Sequence, residues 1–540
     1  MKVILADTHG PILGKDQPAP NLSLLYLAAW ARAHDADIEF RYLPQRYTLQ
    51  DHLMVLRDWA PDVYALSFTS YGMPLAYELM RTVREHYPGV RIVCGGAHAS
   101  AVPEHVLRHT PADVVVVGEG EQTLLELLQC LGDWPGALSR IDGIVYRDGR
   151  HLRHTAERAL IDSLDSVPFP AWDLVHQEDY VGVSFSRGKP NTEMIITRGC
   201  PYRCTFCANP VFRGTGPRYR KRSPEHIAAE VEMLYGMGYR EIFFHSDELN
   251  VQHAWSVEVC EALAALGHPD LFFQTNLRVA PMSEQFAAAL KKANFWMVRI
   301  GIESANLRVL TGIKKRMSLE QTEYACGLLA SHGIKVWGYF LLFQFWEEQG
   351  TLQVESAEEV RNSLRFAFRL WREGKLHYSS WAPSIPVQGA EFYDLARRRG
   401  MVDDDYYPSD GGWDPRPFMP GISNREYRML FAQARWLQAG MALAAGAIEW
   451  RNWRAILHRA RPLFTVRPQV SLSRGVPAPA ALRAEVAEMA VREPSHGAVP
   501  SVPPGQGLGP RIPVLPLPMT AAPRPVTPSA PQRGKRQDVP

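Results

Sequence analysis

Cys200, Cys204 and Cys207 lie in the stretch Arg198-Gly-Cys-Pro-Tyr-Arg-Cys-Thr-Phe-Cys-Ala-Asn209, with three and then two residues between them. Thiolates at that spacing can converge on one iron–sulfur cube. Three protein ligands on a four-iron cluster leave one iron open to a small molecule. The alternative for cysteines this close is a structural zinc site. Zinc takes four ligands, commonly in paired Cys-x2-Cys or His arrangements, and no second pair follows downstream. The pattern favours the redox cluster.

The elements around this loop must hold it. The run Thr192-Glu-Met-Ile-Ile-Thr197 reads as a short buried strand leading into it. From about 190 to 400, six strands alternate with helices: Glu193–Thr197, Glu241–His245, Leu271–Thr275, Val298–Gly301, Lys335–Phe343 and Tyr378–Trp381. Helices such as Pro224–Met237 and Ser318–His332 fit between them. Six such units predict a partial (β/α)6, TIM-like barrel, with its working residues at the carboxyl ends of the strands. Residues 1–150 also alternate, through strands at Val3–Ala6, Val63–Ser67, Arg91–Cys94 and Asp113–Gly118. They predict a doubly wound, flavodoxin-like parallel sheet with ligands beyond its strand ends. Glycines stand at those ends, at Gly72, Gly95-Gly96 and Gly118-Glu119-Gly120-Glu121. Residues 151–185 read as a connector, 401–470 as a helical extension, and 471–540 as a Pro-rich, disordered tail.

Composition bounds the rest. The chain has 540 residues, 46% of them hydrophobic, enough for several cores. A net charge of +2 gives no reason to expect nucleic acid. There are 7 cysteines; Cys94, Cys130, Cys260 and Cys326 are scattered through apolar segments and form no disulfide framework. That usage points to a reducing, cytoplasmic setting. The opening Met1-Lys-Val-Ile-Leu-Ala-Asp7 reads as a strand rather than a signal peptide. No apolar stretch is long enough to span a bilayer.

The cysteine spacing, with the strand before it and the barrel after it, resembles the radical S-adenosylmethionine (SAM) enzymes. The resemblance implies a 4Fe-4S cluster on Cys200, Cys204 and Cys207, with SAM chelating the open iron. It implies one-electron cleavage of SAM to a 5′-deoxyadenosyl radical, fed by a donor such as flavodoxin or ferredoxin. Phe206 matches the aromatic placed near the adenine. Asp247-Glu248 matches an acidic pair after the second strand, suited to the SAM ammonium. Arg278, in Gln274-Thr-Asn-Leu-Arg278, matches a position that holds the SAM carboxylate. Glu303 and Ser304, in Gly301-Ile-Glu-Ser304, match residues for the ribose or methionine moiety. Each could instead be an ordinary strand-end ion pair.

The first 130 or so residues resemble the cobalamin-binding domain that precedes the barrel in one large subgroup of that superfamily. The matching residues are Ser67, Gly95, Gly96, His98, Gly118, Glu119, Gly120 and Glu121. His9 follows the first strand, where a lower cobalt ligand stands in other cobalamin proteins, but Ile12 and Thr69 depart from that pattern. Radical SAM relatives often lack such a histidine.

The barrel also departs from its relatives. Phe340-Leu-Leu-Phe-Gln-Phe-Trp-Glu347 stands where Gly and Pro are common, placing Phe343, Phe345 and Trp346 at a strand end. With Trp296, Trp337, Tyr339 and Trp381 they either line an apolar mouth or pack beneath the C-terminal helices. If they line it, they imply a flat or greasy small-molecule substrate. Trp450, Trp453 and Leu457 share one face of a basic segment that could rest on a membrane surface, though packing against the barrel is the favoured reading.

The resemblance implies a cobalamin-dependent radical SAM C-methyltransferase. An oxidative cyclase using the same cofactors without methyl transfer, and a non-catalytic cobalamin- or cluster-binding sensor, are the alternatives. A methylthiotransferase fits less well, because no second cysteine triad precedes the barrel.

Overall fold

The computed structural model describes residues 1–8, 19–180, 182, 185–212, 219–246, 248–408 and 422–445. Its first sheet has seven strands: β1 (Lys2–Asp7), β2 (Glu39–Leu43), β3 (Val63–Ser67), β4 (Arg91–Gly95), β5 (Val114–Val116), β6 (Ile144–Asp148) and β7 (His151–His154). The order is β2-β1-β3-β4-β5-β6-β7, with the first five parallel and the last two antiparallel. Parallel strands are covered on both faces and read as continuous apolar runs; β3 is buried along its whole length. The 2-1-3-4-5 order is flavodoxin-like, as the alternation predicts, and its direction reverses between β1 and β3. The β2 strand and the β6–β7 hairpin carry weaker signals. Their exposed faces alternate Arg, Asp, Glu and His with apolar residues.

The second sheet is the barrel. Its strands are β8 (Asn191–Met194), β11 (Glu241–Phe244), β12 (Phe272–Leu277), β13 (Phe295–Glu303), β14 (Lys335–Leu342) and β17 (Tyr378–Pro383). They are parallel, in the order β17-β14-β13-β12-β11-β8, so the barrel is open between its first and last strands. All six predicted strands are present. Serines start the helices that cover them. Ser223, Ser283, Ser318 and Ser356 each accept a hydrogen bond from the backbone three residues on, and the last two complete capping boxes with Gln321 and Glu359. Each such cap contributes about 1 kcal/mol.

One strand is shorter than expected. β8 ends at Met194 rather than Thr197, and Thr197–Arg198 (β9) leaves the barrel to pair antiparallel with Arg220–Lys221 (β10). The cysteine loop is therefore carried on its own two-stranded neck. A second hairpin, β15 (Phe345–Glu348) with β16 (Thr351–Val354), follows β14. The helix Asn424–Ala444 packs on β17 and on the helix Ala357–Arg372, with Leu430, Ala434 and Met441 buried. Trp450, Trp453, Leu457 and the Pro-rich tail lie outside the described residues, as does His9. No described helix is long and apolar enough to cross a membrane.

Candidate active site

The three cysteines share one turn and are half-buried, and no cysteine of the chain is in a disulfide. Gly199, with φ +83°, lets the chain turn off β9 into the loop. The loop is pinned from two sides and closed by a turn of its own. Thr205 N donates to Ile313 O at 3.1 Å, Phe392 N donates to Thr205 O at 2.8 Å, and Cys207 N donates to Cys204 O at 3.2 Å. By contrast, Cys94, Cys260 and Cys326 are buried, and burial pushes all three thiols far up, Cys326 to about 12. They are inert core; the loop thiols are the accessible donor set, which suits a cluster held by three thiolates.

Charged side chains from successive strand ends converge on this loop. Arg278, just past β12, is buried, and its Cζ lies 3.7 Å from the ring centre of Tyr202, between the first two cysteines. Its backbone N donates to Asn250 Oδ1 at 3.0 Å, its guanidinium donates to Lys315 O, and Glu248 lies 4.0 Å away. Glu303, at the end of β13, has φ +62° and folds back over Gly301. The missing side chain at Gly301 leaves the space in which Glu303 Oε1 and Lys315 Nζ meet. Lys315 Nζ donates to Glu303 Oε1 at 2.9 Å and lies 5.8 Å from the Phe206 ring. Burial disfavours the Lys315 ammonium, but the carboxylate of Glu303, helped by Cys204 and Glu248, holds its pKa above the usual lysine value.

Two cations and two carboxylates beside three thiols fit the α-amino and α-carboxylate groups of SAM. Phe206, Glu248, Arg278 and Glu303, each singled out in the sequence, stand near one another through Lys315 and Arg278. Asp247 lies outside the described residues. Ser304 does not join them. It is fully buried, and its hydroxyl donates to Glu355 Oε1 at 3.0 Å, next to Ser363. It braces β13 against the helix Ala357–Arg372 rather than facing the loop. Lys315 and Tyr202 carry no signal in the sequence. Lys315 sits in a Lys-Lys-Arg run that reads as solvated surface, and Tyr202 reads as a spacer between cysteines.

At the N-terminal sheet, Ser67 and Gly95 are paired neighbours at the ends of β3 and β4. Gly96 has φ +90°, and a Cβ there would meet Ser67 Oγ at 2.7 Å and Phe68 O at 2.9 Å. His98 is buried, its Nδ1 2.9 Å from Ser70 Oγ and its Nε2 without a hydrogen-bond partner. Burial pushes its pKa down to about 3, so the ring is neutral. Glycines that bring the ends of β3 and β4 close together, beside the buried and unpartnered His98 Nε2, suit the polar groups of a corrinoid. Gly118 is also left-handed, at φ +82°.

Glu119 and Glu121 do something the resemblance does not imply: their carboxylates reach across to the neck of the cysteine loop. Glu119 is bridged by Arg220 (2.7 Å) and Arg198 (3.1 Å), and Glu121 by Arg198 (2.5 Å). Burial opposes the Glu119 charge, but the two arginines hold its pKa below the ordinary carboxylate range. Gly120 lies under Leu27, where a Cβ would come within 3.2 Å.

The aromatic residues divide. Phe343, Phe345, Trp346 and Trp381 are buried as packing. Phe343 lies against Tyr427, Phe345 against Phe392 and Trp381 against Phe340, at 3.8–4.4 Å between ring centres, and Trp346 covers Gly312. Trp296, Trp337 and Tyr339 are only partly buried.

Comparison with known proteins matches these two halves. A model of the radical SAM superfamily matches residues 194–353, and a B12 binding domain model matches residues 16–128. The chain is 29% identical over 386 residues to an uncharacterized methyltransferase, PH0819, of Pyrococcus horikoshii, covering 71% of this chain and 80% of that one. It is 26% identical over 341 residues to the anaerobic magnesium-protoporphyrin IX monomethyl ester cyclase of Cereibacter sphaeroides, covering 61% of this chain and 52% of that one. The fold matches the radical SAM methyltransferase TsrM from Kitasatospora setae with a TM-score of 0.61 at 16% identity, covering 85% of this chain and 99% of that one. The chain thus joins a B12-binding domain to a radical SAM domain, the make-up of the cobalamin-dependent radical SAM enzymes.

Proposed function

We propose that the protein is a cobalamin-dependent radical SAM methyltransferase acting on an unactivated carbon of a small, flat, largely apolar molecule. One observation carries the reading: the neck of the cysteine loop is bonded, through Arg198 and Arg220, to the turn that follows β5 of the B12-binding domain. That bond supports two strand-end mouths acting on one substrate. Bound there, the cluster supplies one-electron cleavage of SAM, and cobalamin supplies the methyl group. The chain's own residues position these groups. Cys200, Cys204 and Cys207 hold the cluster. Arg278 and Lys315 take the SAM carboxylate, and Glu248 and Glu303 take its ammonium. Phe206 borders the adenine. Ser67, Gly95, Gly96 and Gly118 cradle the corrinoid. Holding reactants in one geometry is the protein's main contribution to such a reaction. An electron donor of the flavodoxin or ferredoxin class completes the cycle.

The methyltransferase of Pyrococcus horikoshii and TsrM support methyl transfer. The cyclase of Cereibacter sphaeroides supports a second reading, oxidation without methylation. SAM carrying a deuterated methyl group separates them. With protein reconstituted anaerobically, methyl transfer yields both S-adenosylhomocysteine and 5′-deoxyadenosine and a labelled product. Deoxyadenosine alone rejects methyl transfer.

A further inference from the structure

The barrel interior holds a cation that the SAM site leaves unused. Arg299 lies on β13 between Val298 and Ile300, both fully buried, and is itself only partly buried. Its register partners are Asn276 on β12 and Trp337 on β14. Its Nη2 donates to Gln274 Oε1 at 3.1 Å, and its Cζ lies 4.3 Å from the ring centre of Phe243 and 5.2 Å from that of Trp337. Its Nε is buried without a hydrogen-bond partner. Among the described residues no carboxylate pairs with it.

The acid beneath it is already satisfied. Glu241, at the start of β11, accepts from Trp296 Nε1 (2.8 Å), Gly188 N (2.7 Å), Arg187 N and Gln274 Nε2. Gln274 also donates to Phe185 O. Phe185 packs edge-to-face with Trp337, 4.7 Å between ring centres, so its ring covers this side of Trp337. Arg299 stands four residues back along β13 from Glu303, roughly 13 Å at the rise of a strand. Aromatic rings beside a guanidinium leave its edge N–H groups to a planar anion. A half-buried guanidinium with a buried, unpartnered Nε and no facing carboxylate among the described residues is a site for a bound anion.

We propose that Arg299 anchors a carboxylate of the substrate, whose flat apolar body lies along Trp337 and Tyr339 toward the SAM site at Glu303. This deepens the preceding reading and rests on it for the statement that the barrel receives the substrate.

The test is anaerobic equilibrium dialysis of cluster- and cobalamin-loaded protein, with SAM saturating, against 2-naphthoate, 2-naphthyl phosphate and 2-naphthamide. Wild type should retain naphthoate at least tenfold better than the amide. Arg299→Gln should bring naphthoate down to the level of the amide, and Arg299→Lys should keep part of the preference. Thermal melting checks that both variants are folded. Equal retention of acid and amide by wild type, including retention of neither, overturns the anchor, as does a preference that survives Arg299→Gln. Naphthyl phosphate held better than naphthoate overturns the choice of carboxylate. The deuterated-methyl experiment fails separately. Missing S-adenosylhomocysteine with Arg299-dependent retention intact rejects methyl transfer alone, and the reverse pair of results rejects the anchor alone.

Discussion

Arg198 Nη1 lies 3.1 Å from Glu119 Oε1, so the residue two before the first cysteine is bonded to the glycine-rich turn that follows β5. Arg220 grips the same carboxylate from the opposite strand of the neck, at 2.7 and 3.0 Å. The side chains of Glu119, Glu121 and Arg220 are 10%, 6% and 5% exposed. Replacing Glu119 by Ala leaves two arginines with little counter-charge in a place water hardly reaches. Breaking such a buried pair costs about 3–5 kcal/mol. Glu119→Ala should therefore lower the denaturation midpoint strongly and cut iron loading of the cysteine loop. Glu121→Gln should do less, because Glu119 still faces Arg198. Anaerobic denaturant melts with iron assay of each variant check this.

Neighbours on one strand end should separate in their effects. Glu303→Gln removes the counter-charge of Lys315 and should raise the KM for SAM at least about tenfold, the scale of one charge-assisted hydrogen bond. Ser304→Ala loses the bond to Glu355 and should cost about 1–2 kcal/mol of stability, with the SAM KM unchanged within error. Steady-state 5′-deoxyadenosine formation and thermal melts, run on both variants, read the two effects.

Stability should depend on pH through Glu355. Its carboxyl is fully buried, and burial pushes its pKa from 4.5 up to about 8, against the hydrogen bonds donated by Gln344 N and Ser304. Between those values the folded protein keeps a proton that the unfolded chain has released. Stability contributed here is present below pH 4.5 and lost as pH rises to about 8, with a slope of up to about 1.4 kcal/mol per pH unit. Glu355→Gln should remove that slope in denaturant melts across the same range.

Gly96→Ala should empty the corrinoid site. At φ +90°, with Ser67 Oγ 2.7 Å from the new Cβ, the strand ends must part. Strain of this kind costs about 1–3 kcal/mol. Gly118→Ala meets nothing within 4 Å and bears only the left-handed φ, about 1–2 kcal/mol. Cobalamin absorbance per chain should fall much further for the first than for the second.

Much of this architecture is legible in the sequence, because parallel strands such as β3 and β5 are apolar runs buried along their length and serine caps punctuate the helices. The strand-end acids and arginine are legible by their order behind the cysteines. The rest depends on contacts that no local pattern carries. Glu119 looks like part of a cofactor turn until Arg198 and Arg220 are seen against it, 79 and 101 residues away. Lys315 looks solvated until the missing side chain at Gly301 lets it meet Glu303. Ser304 and Glu303 are adjacent, yet φ +62° at Glu303 directs them to different partners.

The most direct test is the metal and SAM chemistry of the cysteine loop. Protein reconstituted anaerobically should hold about four iron atoms per chain on Cys200, Cys204 and Cys207 and release 5′-deoxyadenosine from SAM under a strong reductant. Cys204→Ala should lose both. Wild type that binds zinc alone, or that leaves SAM intact with its iron in place, contradicts the account.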